Sequence, residues 1–101
     1  MKMIEVFEWT TCAWTWYERS GYVPNYDARS GKWMYFFNHA NMDKVPVICE
    51  TAVSRGVVEL VKHTLLEHVY MDNHGVCCFY ANADDIDAHK RIIQFFFWIT
   101  D

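Results

Sequence analysis

The hydrophobic pattern of the chain changes its period at Asp43, and this change restricts the fold more than any other feature. Before Asp43, large residues alternate from side to side, as in Ala13–Tyr17, where Trp14 and Trp16 share one face. Beyond it, apolar residues recur at the spacing of an amphipathic helix. The helical positions are Val45, Ile48, Cys49, Ala52 and Val53. Asp43 is the expected N-cap of this helix and Gly56 its expected end.

Other segments repeat the two patterns. Lys32–Phe37 is apolar on both faces, which predicts a central strand covered on both sides. Val57–Tyr70 is mostly β-prone, with a break near Thr64, and Val76–Tyr80 is typical of a buried strand. Met71–Gly75 resembles a turn, so these two stretches are expected to form a hairpin.

The final helix, capped by Asn82 or Asp84, has an unusual second half. Residues 92–99 are apolar all round apart from one glutamine, although a surface helix needs only one apolar stripe. Residues 92, 93, 96 and 97 are expected to face the sheet. Phe95 and Trp98 would then form a second patch, an association surface with a homodimer as the simplest case. Asp84, Asp85 and Asp87 lie at the helix start, where negative charge is favourable, and could instead imitate phosphates toward a basic partner.

The order of elements predicts an α+β fold. It is a curved, mostly antiparallel sheet of four to five strands with two helices packed on one face. The optional fifth strand is Met3–Trp9. At 101 residues the chain is expected to form a single domain, residues 1–101.

Composition narrows the class of function. The net charge of −4 argues against a protein that wraps nucleic acid. The aromatic content of 18% is more than a core of this size easily hides, so some rings should line a binding surface. The cysteines lack paired spacing and no long apolar run is present, so we expect free thiols, a cytoplasmic location and no membrane association.

Three groups of motifs resemble one family. They are Trp16–Glu18 with Ser30–Phe36, then Val61–Thr64, then Gly75–Tyr80 followed by Asp84, Asp85 and Lys90–Ile92. Their order and spacing over residues 14–99 are similar to those of the basophilic-leukaemia-expressed protein family, whose members are often labelled phosphothreonine lyases. The resemblance implies a curved antiparallel sheet backed by helices, as in the mRNA-cap-binding translation initiation factor.

Candidate site residues fall into two groups. Lys62 and His63 are the residue types that a phosphothreonine lyase needs, but neighbours on a strand point to opposite faces. Lys62 could alternatively anchor a phosphate or carboxylate, joined by Arg29 and Lys32. Trp14, Trp16 and Trp33 could form a stacking platform for a base. The histidines lack ligand spacing, so neither a metal nor a cofactor is expected.

These features favour binding over catalysis. The leading hypothesis is a small non-catalytic protein that docks onto or occludes a protein or nucleoprotein partner, in the manner of anti-CRISPR inhibitors. The alternatives are a phosphothreonine-lyase-like enzyme acting through Lys62 or His63, and a nucleotide or cap-like ligand binder acting through the tryptophans.

Overall fold

The computed structural model describes residues 4–23 and 29–100. Met3 of the predicted N-terminal strand and residues 24–28 of the loop before the second predicted strand lie outside the described residues. The strands are β1 (Val6–Thr10), β2 (Trp14–Arg19), β3 (Ser30–Phe37), β4 (Leu60–Thr64) and β5 (Gly75–Asn82). The helices are α1 (Val45–Ser54), α2 (Leu66–Asp72) and α3 (Ile86–Thr100), with a 3-10 turn, Met42–Lys44, leading into α1.

The five strands form one antiparallel sheet in the order β1-β2-β4-β5-β3. This confirms the predicted α+β class and the antiparallel sheet. The position predicted for Lys32–Phe37 is wrong, because among the described strands β3 lies at the edge and pairs with β5 alone. Its two apolar faces therefore have different environments: Trp33 and Tyr35 pack against the core, whereas Met34 and Phe36 are exposed.

The helices pack on one face of the sheet and form the core there. Val45, Cys49 and Val53 of α1 meet Tyr17 and Val61 of the sheet, and all five are buried. The predicted period of α1 is confirmed. Asp43 does not cap it, however, because the N-cap is Lys44 with no side-chain hydrogen bond. At the other end Gly56 has φ +75°, a conformation that glycine adopts without a steric cost.

The two strands of the predicted hairpin do pair antiparallel, as β4 and β5, but the predicted turn between them is wrong, because α2 connects them. Val69 of α2 is buried in the core cluster, which explains the apolar residues in the sequence of this helix. The helix ends at Asn73, whose φ of 58° is left-handed and whose N–H donates to Val69 O at 2.8 Å. The presumed turn is thus a helix C-cap followed directly by β5.

The last helix, α3, is rotated relative to the expectation. Its N-cap is Asp85, not Asn82 or Asp84, because Asp85 Oδ1 accepts the N–H of Ala88 at 3.0 Å. The side facing the sheet is formed by Ile92, Phe95, Phe96 and Ile99. The exposed side carries Ile93 and Phe97. In the described part of the chain, no helix is long and apolar enough to cross a membrane.

Candidate binding surface

The face of the sheet opposite the helices is not covered by any described helix, and we call it the open face. Side chains alternate between the two faces along each strand. The open face therefore carries Trp16, the residues paired with it across the sheet, and the residues two positions from any of these along the same strand. Its members include Phe7, Trp9, Trp14, Trp16, Glu18, Lys32, Met34, Phe36, Lys62 and Tyr80. Large apolar side chains on it are exposed, with Phe36 at 70%.

Aromatic rings from three strands form a parallel stack on the open face. Trp9 and Trp16 lie with their ring centroids 5.8 Å apart and their planes at 4°. Tyr80 stacks with Trp16 at 6.0 Å and 15°. Trp9 and Tyr80 come from strands on opposite sides of β2 and flank the Trp16 ring.

Lys62 lies at the centre of this cluster. Its Nζ is 3.8 Å from the ring centroid of Trp14, 4.8 Å from that of Trp16 and 6.0 Å from that of Tyr80. Such placement stabilises the ammonium through the electron-rich ring faces. Burial lowers the pKa of Lys62, the neighbouring Cys78 raises it, and the positive charge of Lys32 on the same face lowers it.

The charge of Lys62 has no anionic partner among the described residues. The ion pairs found there are Arg19–Glu59 at 3.1 Å and Arg29–Asp84 at 2.6 Å. The open face thus presents a partly buried ammonium that aromatic rings hold and that no carboxylate of the described chain neutralises.

His63 has the opposite orientation and cannot share a site with Lys62. It is only 1% exposed, on the helix-covered side. Its Nδ1–H donates to Thr64 O at 2.7 Å, so Nε2 accepts the Tyr17 hydroxyl at 3.1 Å. Burial lowers the pKa of His63, which therefore remains neutral near pH 7. The two candidate catalytic residues are separated by the sheet itself.

The structure brings together only part of the predicted ligand set. Trp14, Trp16, Lys32 and Lys62 share the open face. Trp33 does not, because it lies on the other side of β3, where its Nε1–H donates to His89 Nδ1 at 2.9 Å. The predicted platform of three tryptophans is therefore wrong.

Of the other predicted site residues, Arg29 and Asp84 are joined by the 2.6 Å ion pair, Asp85 caps α3, and Asp87 is exposed in the first turn of α3. Phe95 is 6% exposed and packs against Phe79 at 6.1 Å between centroids, so it cannot belong to an exposed patch. Trp98 is exposed, with the Arg55 guanidinium 5.3 Å from its ring centroid.

The sequence predicts both edge strands but does not assign their residues to this surface. Phe7 and Trp9 alternate in β1, and Met34 and Phe36 alternate in β3. The alternation was visible in the sequence, but which face the helices cover was not. Tyr80 was likewise assigned only to a buried strand.

Two other concavities offer fewer polar groups that could bind a ligand. A cleft of about 290 Å³ lies near the start of α3, lined by residues that include Glu59, Asp85 and Arg91. Glu59 is paired with Arg19 and Asp85 caps the helix, so these acids are already engaged. An apolar groove lies beside α2, at Met42, Leu66, Tyr70 and Met71. Within residues 4–23 and 29–100, no group of His, Cys, Asp or Glu side chains could hold a metal ion.

The fold and the open face define a class of α+β proteins in which helices cover one face of an antiparallel sheet. Comparisons with protein-family models, with curated proteins and with solved structures find no match to this chain. The resemblance to the basophilic-leukaemia-expressed protein family therefore rests on sequence motifs alone.

Proposed function

We propose that this protein is a non-catalytic binding protein that docks onto a macromolecular partner through the open face of its sheet. The observation that carries the proposal is the exposure of large apolar side chains on a sheet face that no described helix covers. A contiguous apolar patch of this kind usually marks an interaction surface.

The shape of the open face supports a macromolecular partner. Its strands span roughly 19 Å from β1 to β3, taking four inter-strand spacings of about 4.8 Å. The rings of Trp9, Trp16 and Tyr80, from strands β1, β2 and β5, stack on one another across it. Small-molecule sites are usually concave and surround their ligand, whereas protein interfaces are broad and rich in aromatic residues and Met.

The placement of the catalytic candidates supports binding over an eliminase. A lyase needs a base and an acid within reach of one substrate. Lys62 lies on the open face and His63 in the core, where it is 1% exposed. A phosphothreonine peptide incubated with the protein should therefore release no phosphate. Phosphate release that is lost on Lys62→Met would contradict the proposal.

A pair of matched variants tests the binding surface. Phe36 on the open face and Phe97 on α3 are each 70% exposed, so neither substitution should disturb the core. We expect Phe36→Glu to abolish co-purification of a stoichiometric partner from the native host, because it places a charge within the apolar contact. Phe97→Glu should retain that partner.

The same pair distinguishes the competing interface. If Phe97→Glu loses the partner and Phe36→Glu keeps it, α3 is the interface and the open face is not. Light scattering on both variants also tests the homodimer predicted for this helix. A shift from dimer to monomer mass in Phe97→Glu alone would favour self-association through α3.

A further inference from the structure

Lys62 is the polar centre of an otherwise aromatic and apolar surface. The aromatic rings stabilise its partly buried ammonium, and an anion from a partner would add the counter-charge that the described chain does not supply. The rings of Trp14 and Trp16 approach its Nζ from one side, at 3.8 and 4.8 Å. Neither indole N–H donates to another residue that the structure describes.

The geometry of the stack argues against two kinds of occupant within it. A cationic purine needs a free ring face, but Lys62 already lies over Trp14 and Trp16 and would repel a second cation. A neutral base stacked between two rings needs a free gap between them. The rings of Trp9, Trp16 and Tyr80 are spaced at 5.8 and 6.0 Å. The stack is thus filled by its own members.

The charges of the open face favour an occupant with few negative groups. Lys62 and Lys32 are its cations and Glu18 its acid, within a chain whose net charge is −4. A nucleic-acid backbone is typically held by several cations. One carboxylate, in contrast, needs only one ammonium and the positive edges of nearby rings. The exposed Phe7, Met34 and Phe36 around it would contact apolar side chains.

We infer that the open face recognises a protein segment that presents one carboxylate between apolar side chains, and that Lys62 binds this carboxylate. The inference rests on the proposed function, since it requires the open face to be the binding surface. Lys32 contributes positive potential at the margin of the site, and Trp14 and Trp16 hold the ammonium in place.

A display library of random peptides, selected on the immobilised protein, tests the inference. Enriched peptides should share one Asp or Glu flanked by apolar residues. Replacing that residue by Asn or Gln, or Lys62→Met in the protein, should weaken binding by about tenfold or more. Lys90→Met removes an exposed positive charge on α3 and should leave the affinity unchanged. Lys62→Glu should bind a peptide with Lys in place of the acid better than it binds the parent peptide.

The outcomes distinguish failure of the carboxylate inference from failure of the proposed function. If Phe36→Glu abolishes peptide binding while Lys62→Met does not, the open face binds but the carboxylate inference is wrong. If Phe36→Glu has no effect on any enriched peptide, the proposed function fails as well. No enrichment, enrichment without a shared acid, or tighter Lys62-dependent binding of a single-stranded RNA oligonucleotide also overturns the inference. The peptide substitutions leave the protein intact, so they remain decisive if circular dichroism shows that Lys62→Met misfolds.

Discussion

At the scale of single residues, Lys62 and His63 show how alternation along a strand places neighbouring side chains in two different environments. They are neighbours in sequence, yet one faces aromatic rings at the surface and the other the core. Burial lowers the pKa of each, because a charged form is disfavoured away from water. For Lys62 the rings compensate by stabilising the cation. For His63 the hydrogen bonds to Tyr17 and Thr64 stabilise a neutral ring.

The buried His63 predicts a specific pH dependence of stability. Burial lowers its pKa below 6.5, although the Thr64 carbonyl and Glu8 oppose the shift. The unfolded state therefore binds more protons just below pH 6.5, and the stability contributed by neutral His63 is lost as pH falls through the folded pKa. In chemical denaturation, His63→Gln should be less stable than the parent by about 1–3 kcal/mol at pH 7.5. That difference should shrink on acidification to pH 5, and a constant difference would contradict the assignment.

At the scale of elements, the sequence of α3 does not determine which side of the helix faces the sheet. Its apolar residues surround the axis, so several rotations would bury comparable area. In the structure Phe95 and Phe96 both contact Phe79, at 6.1 and 5.1 Å between centroids. Phe97 projects away and is 70% exposed.

This rotation predicts very different costs for neighbouring phenylalanines. Phe95→Ala should lower the free energy of unfolding by about 3–5 kcal/mol, because it leaves a cavity against Phe79. Phe97→Ala should change it by less than about 0.5 kcal/mol, because the side chain is mostly in water. Urea denaturation of the two variants measures both values. Equal costs would mean that α3 packs through a different face.

At the scale of the whole molecule, the fold is one-sided. Helices α1, α2 and α3 all contribute to the core on one face of the sheet, and the other face keeps its aromatic side chains partly in water. Cys49 and Cys77 are buried free thiols of the core cluster, Cys78 is a buried free thiol opposite Lys62 on the open face, and Cys12 is exposed. Burial raises the pKa of Cys49 and of Cys78, which makes their thiolates scarce.

Thiol accessibility therefore reports on the integrity of the whole fold. In native conditions Cys12 should react quickly with a thiol reagent, and Cys12→Ser should remove that fast phase. In denaturant without reductant, all four cysteines should react. Two reactive groups, or none, would show that a disulfide is present.

The sequence by itself determined the local pattern of this protein. Alternation in β2 placed Trp14 with Trp16 and separated Lys62 from His63 in β4, because a strand has a side-chain period of two. The helical period of α1 was equally clear. These features depend only on neighbouring residues, so they can be predicted without knowing the rest of the chain.

Only the tertiary structure decided which faces are covered. The edge position of β3, the rotation of α3 and the separation of Trp33 from Trp14 depend on pairings between distant segments. The short helix α2 was mistaken for strand because a brief apolar run fits either period. The aromatic surplus was evident from composition. Its assembly around Lys62 was not, because it needs β1, β2, β4 and β5 side by side, an arrangement set by long-range packing.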